Sequence, residues 1–165
     1  KTPRRQRQMC IRDSSNDIIG IEYSSSLKNI YSIMVGIAHG LGYGDNFLSV
    51  LISHCSKEMS DFIKDVHKTN RKINQSAYLG DLLVTTYSSF SRNRTFGNMI
   101  GKGYSIKSAK AEMNMIVEGY YATKNAFMLS KKLSTKLIII DICNKILFEN
   151  KSASRQMKEL SKNLY

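Results

Sequence analysis

Cysteine is scarce and badly placed for cross-linking: Cys10, Cys55 and Cys143 are the only three in 165 residues, with no CxxC spacing and no histidine cluster beside them. Such a set builds neither a disulfide framework nor a structural zinc site, and it fits a reducing compartment. His39, His54 and His67 are scattered, no pair has metal-ligand spacing, and no metal is expected. Long apolar runs are missing too. The most apolar stretch, Leu137 to Ile142, is six residues long with Asp141 inside it, far short of a bilayer span. No charged start, apolar centre and small-residue exit of a secretory signal is visible. The expectation is a cytoplasmic protein with no membrane insertion.

Acidic residues are outnumbered, 13 against 25 lysines and arginines, for a formal charge of +12. Part of that charge is concentrated at the start. Lys1, Arg4, Arg5, Arg7 and Arg12 against Asp13 account for +4, leaving +8 for the rest. Residues 1–14 also hold the only proline and show no apolar period, so they are set apart as a non-native basic tail, and 15–165 are read as one helical domain. The remaining +8 favours anionic partners: phosphate-bearing small molecules, nucleic acid or acidic surfaces.

Apolar residues at Leu27, Ile30, Tyr31, Met34, Ala38 and Leu41 recur at helical spacing, which predicts a helix with one buried stripe. It ends in GLGYGDN. Phe47, Val50, Leu51, Cys55, Met59, Phe62 and Val66 predict a second long helix, with Asp45 or Asn46 as its N-cap. A polar link, HKTNRKINQ, leads to an apolar piece, Tyr78 to Thr86, whose pattern suits a strand or a buried helix equally. Further helices are expected over Arg92 to Ile100, Ile106 to Met115, Glu118 to Lys132, Lys136 to Phe148 and Ala153 to Leu164. Ser91 and Ser105 stand where N-caps belong, and Gly101 and Gly103 where a helix stops. The fold class is all-α.

The glycines of GLGYGDN follow a helix rather than a strand, so a tight interhelical turn explains them better than a dinucleotide loop. Three other stretches are more polar than a helical core requires. In SSSLKNI, small side chains precede Lys28 and Asn29 on an apolar-striped helix. A lysine held beside a core gives up its proton more readily, although snorkelling to solvent is the plainer reading. In YLGDLLVTTY, Asp81 and Thr85 share a side if the run is helical. A carboxylate there wants a cation, for which Lys28 is a candidate, or serves as an N-cap. In SRNRTFGNMIGKG, Arg92, Asn93 and Arg94 occupy the first turn after Ser91. Cations oppose the helix dipole there unless an anion is shared, which suggests a phosphate gripped by an arginine fork. A solvated basic face fits the spacing equally well.

Taken in order, GIEYSSSLKNIYSIMVGIAHGLGYGDN, LGDLLVTTYSSFSRNRTFGNMIGKG and MIVEGYYATKNA resemble the C-terminal helical domain of bacterial NAD(P)-dependent glycerol-3-phosphate dehydrogenase. The resemblance runs from about Asp17 to the last helix. It implies reversible hydride transfer between NAD or NADP and dihydroxyacetone phosphate, giving sn-glycerol 3-phosphate for phospholipid synthesis. By resemblance Lys28 is the catalytic proton donor and acceptor. Lys28, Asn29, Asp81, Thr85, Ser91, Arg92 and Asn93 bind substrate. Arg92, Ile116 and Glu118 touch the cofactor. A homodimer is also implied.

The pattern departs from the family in three ways. Ser24, Ser25 and Ser26 stand where glycine or alanine is common. The usual proline before the penultimate helix is absent near Leu137 or Ile138, which predicts a looser helix start. The N-terminal Rossmann domain is absent from this chain, so most cofactor contacts are expected elsewhere, and little activity is expected of the chain alone. Two competing readings are the helical domain of a hydroxy-acid dehydrogenase, which leaves SRNR less explained, and a basic helical nucleic-acid-binding module, which a steep salt dependence would reveal.

Overall fold

The computed structural model describes residues 16–164, so the basic stretch 1–14 lies outside the described residues. Eight α-helices and one π-turn follow in order, and among the described residues there is no strand. They are α1 (Ile18–Gly40), α2 (Asp45–Val66), a π-turn (Ser76–Gly80), α3 (Asp81–Tyr87), α4 (Arg92–Gly101), α5 (Ile106–Glu112), α6 (Glu118–Leu133), α7 (Ile138–Phe148) and α8 (Ala153–Asn163). None of them is long and apolar enough to cross a membrane.

Helix α1 is the axle of the fold. Asp17 caps it by accepting from the Gly20 amide at 3.1 Å, and Arg71 and Tyr78 both hydrogen-bond the same carboxylate. Its apolar pattern predicts one buried stripe, yet every residue from Ile30 to Ala38 is buried. The difference comes from Ile33, Val35 and Ile37, apolar residues outside that stripe, together with the small Ser32 and Gly36. Helices α2, α3, α4, α6 and α7 all pack on α1, and α4 comes closest. A Cβ added at Gly36 would fall on the Arg94 carbonyl, and one at Gly97 on the Ile33 carbonyl. The two helices therefore touch backbone to backbone, a separation that larger residues forbid. This seam brings the start of α4 against the middle of α1.

Local signals explain most of the boundaries. Ser91, Ser105 and Ser152 accept from amides three residues on and start α4, α5 and α8. GLGYGDN is a turn between α1 and α2, with Gly42 at φ 87°. The N-cap of α2 is Gly44, not Asp45 or Asn46, and no side chain bonds its first amides. The ambiguous run Tyr78 to Thr86 is helical: a π-turn flows into α3 without a break, because Gly80 and Asp81 both keep helical dihedrals. Helix α5 stops at Glu112 instead of reaching Met115. Met113 is extended, and the Lys110 ammonium lies 3.6 Å from the centre of the Tyr120 ring, tying the end of α5 to α6.

The start of α7 has no proline and no cap from its own neighbours, yet it is firmly held. Glu58 on α2 reaches across the core to accept from the amides of Ile139 at 2.8 Å and Ile140 at 3.2 Å. The expectation of a looser start is thus corrected by a carboxylate from a distant helix.

Candidate functional site

Lys28 leaves α1 on the side that faces α3, and its ammonium meets both oxygens of Asp81 at 2.8 and 2.6 Å. The pair is partly sheltered, with side-chain exposures of 21% and 39%. Asp81 is therefore an ion-pair partner rather than an N-cap. The π-turn Ser76–Gly80 leads directly into Asp81, and π-helical turns recur at functional positions. A lysine ammonium has three N–H donors, so two directed at Asp81 leave a third for a ligand oxygen.

One turn further along α1, Ser32 is fully buried. Its hydroxyl donates to the Thr85 carbonyl at 3.1 Å and lies 2.9 Å from the Ser91 hydroxyl. Thr85 spends its own hydroxyl on the Asp81 carbonyl at 2.7 Å. Ser91 caps α4, accepting from the Arg94 amide at 3.4 Å, which leaves the amides of Arg92 and Asn93 without that cap.

Asn29, Asn93 and Glu118 form a second cluster. The Asn93 amide donates to Asn29 Oδ1 at 2.9 Å, while Asn29 donates to Glu118 Oε2 at 3.3 Å. The Gly119 amide donates to Asn93 Oδ1 at 3.0 Å. Gly119 is small of necessity, since a Cβ there would strike the Asn29 carbonyl. Arg92 is exposed and donates to the Ile116 carbonyl at 3.3 Å. Ile116 is itself 70% exposed.

The sequence-derived candidates fall into three contact sets: Lys28 with Asp81, Thr85 and Ser91 through Ser32, then Asn29 with Asn93 and Glu118, and Arg92 with Ile116. The sets are neighbours along the chain at Lys28–Asn29 and Ser91–Asn93. Arg94 donates to the Tyr87 carbonyl instead. Of the three serines before Lys28, only Ser24 is buried, donating to the Ile21 carbonyl at 2.9 Å. Sequence reasoning passed over Ser32 and Gly119. The available signals were a polar residue four positions after Lys28, on its face, and a glycine just inside a helix start.

Cavity size does not mark this place. A groove of about 600 Å³ runs instead between α2 and α3 and is lined by Ile52, Ile73, Leu79, Leu83 and Tyr87 among others. Arg92 and Ile116, joined by their hydrogen bond, and Glu118, held by Asn29, are all exposed. Cys55 and Cys143 are unsuited to nucleophilic work, since burial raises both thiols, Cys143 to about 12.

Residues 17–158 match the family described as NAD-dependent glycerol-3-phosphate dehydrogenase C-terminus. Curated relatives named glycerol-3-phosphate dehydrogenase (NAD(P)+) include one from Fusobacterium nucleatum, 41% identical over 147 residues, which span 89% of this chain and 44% of the relative. Another, from Agathobacter rectalis, is 39% identical with the same coverage of each chain, 89% and 44%. The chain therefore spans less than half the length of the curated relatives it matches. The crystal structure of glycerol-3-phosphate dehydrogenase from Coxiella burnetii superposes with a TM-score of 0.85 at 32% identity, over 88% of this chain and 45% of that one. A structure from Dunaliella salina shares the fold, with a TM-score of 0.77 at 19% identity over 88% of this chain and 27% of that one.

Proposed function

Since the chain belongs to the NAD-dependent glycerol-3-phosphate dehydrogenase C-terminus family, we propose that it is the substrate-binding and proton-transferring domain of such an enzyme. The substrate pair is dihydroxyacetone phosphate and sn-glycerol 3-phosphate. One observation carries the reading: the Lys28–Asp81 ion pair stands one helical turn from the Ser32–Ser91 contact that opens the Arg92–Asn93 turn. A short phosphoester suits that layout, with its reacting carbon at the lysine and its phosphate at the start of α4.

NAD or NADP, when bound, supplies or accepts the hydride. The residues of this chain do the rest. Lys28 holds a proton at the oxygen on C2, giving it up in one direction and taking it back in the other. Asp81 aims the ammonium through two short bonds. The free amides at the start of α4 and the Arg92 guanidinium draw the phosphate, while Asn93, locked by Asn29 and Gly119, keeps the turn in register. Arg92, Ile116 and Glu118 form the cofactor-facing rim.

The reading brings with it a place in glycerophospholipid synthesis, a cytoplasmic setting consistent with free buried thiols at Cys55 and Cys143, and a homodimer. Alone, the chain is expected to turn over little or no substrate. Joined to a nucleotide-binding half, it should lose turnover by about a hundredfold to ten-thousandfold on Lys28→Ala with its helical circular dichroism unchanged. Normal turnover in that variant removes Lys28 from the mechanism. Dihydroxyacetone without phosphate should be a poor substrate, and equal use of the two ketones would defeat the phosphate assignment.

A further inference from the structure

Resting on the reading above, we propose that Ser32 is a positioning residue that sets the phosphate-facing turn of α4 against the Lys28–Asp81 pair. The argument starts from proton counting. A serine hydroxyl has one proton to give, and a carbonyl can only accept. Ser32 gives its proton to the Thr85 carbonyl at 3.1 Å, so the 2.9 Å contact with Ser91 is made by the Ser91 proton. Ser91 in turn accepts from the Arg94 amide at 3.4 Å. A directed relay results, running from the Arg94 amide through Ser91 and Ser32 to the Thr85 carbonyl.

The relay has a geometric consequence. Lys28 and Ser32 lie four residues apart on α1, and Asp81 and Thr85 four apart on α3, so both pairs stack one turn above the other. The ion pair is the upper rung and the Ser32–Thr85 bond the lower. Only the lower rung continues to α4. Ser32, fully buried, is thus the side chain through which the lysine's helix, the aspartate's helix and the capping serine are held at set distances. A second consequence concerns Ser91. Its proton is spent inward, so the donors left for an anion are the Arg92 and Asn93 amides and the Arg92 guanidinium. Ser91 then acts as a spacer for the phosphate rather than a donor to it.

Two measurements on Ser32→Ala decide this. In the chain itself, amide hydrogen exchange at Arg94 should quicken by about tenfold or more while amides of α7 keep their protection. Unchanged exchange at Arg94 overturns the proposal, whatever the enzyme does. In the chain joined to a nucleotide-binding half, the KM for dihydroxyacetone phosphate should rise by about fivefold or more with kcat within about twofold. A fall in kcat at constant KM also overturns it. Should Ser32→Ala loosen the whole core, Ser91→Ala cuts the relay at its outer end and is expected to reproduce the local effect at Arg94. Uniform loss of protection in both variants counts against a positioning role. If the unsubstituted fusion shows no turnover, the enzymatic reading fails, while the exchange result still decides Ser32.

Discussion

Helices α4 and α7 begin in opposite ways. The first turn of α4 carries Arg92 and Arg94 and is capped by Ser91, whose side chain accepts only from the Arg94 amide. The first turn of α7 has no cap of its own and instead receives a buried carboxylate, Glu58, from α2. Both starts present the same unpaired amides and the same positive dipole end. One is filled by a side chain from another helix, and the other receives only its own capping serine. The difference separates a structural use of the helix start from the ligand-binding use proposed for α4. Filling from inside has a cost. Burial pushes the Glu58 carboxyl from 4.5 up to about 7, against the pull of the two amide bonds.

The largest effect that would sharpen this contrast is pH-dependent stability. Because Glu58 titrates higher folded than unfolded, the folded state binds more protons between the two values. Its contribution is fullest below 4.5 and is lost as pH rises through about 7, a swing of about 3 kcal/mol. The groups around it are Tyr31 on α1, Cys55 on α2 and Cys143 on α7, and the Tyr31 hydroxyl helps to hold the carboxylate. Denaturant melts from pH 4.5 to 8 should show stability relative to Glu58→Gln falling as pH rises. A constant difference would mean that Glu58 titrates alike in the folded and unfolded states, against the upward shift.

Smaller, and at the other helix start, Arg92→Ala should raise the KM for dihydroxyacetone phosphate by about tenfold or more while leaving the melting profile unchanged. An equal rise for a phosphate-free substrate would erase the contrast between α4 and α7. Smallest is the effect at α1, where an acid and a cation share one cap. The Arg71 guanidinium holds the Asp17 carboxyl well below its usual range, so its contribution is present above 3.8 and lost as pH falls. Asp17→Asn should lower stability by a constant amount above about pH 5, with the loss shrinking as pH falls; a loss that stayed the same in acid would contradict the assignment.

The parts legible in the sequence are those decided within a turn or two of chain. Ser91 and Ser105 as caps, Gly101 and Gly103 as stops, and the glycine turn after α1 all rest on contacts between near neighbours. Lys28 and Asp81 stood out as polar groups set against apolar periods, and the order of LKN, GDL, SRNR and VEG marked the family. By contrast, the single stripe expected on α1, the start of α2 and the far end of α5 were misread, because each depends on what packs alongside.

By itself, the sequence determined an all-α chain, its family and its candidate residues, since period, capping and motif order are properties of short segments. Only the tertiary structure decided that α1 would be buried on every side from Ile30 to Ala38, that Glu58 would hold the start of α7 from 81 residues away, and that Ser32 would join three helices. The physical reason is reach. A hydrogen bond or a glycine contact acts over a few ångströms, and only packing brings distant segments within that range.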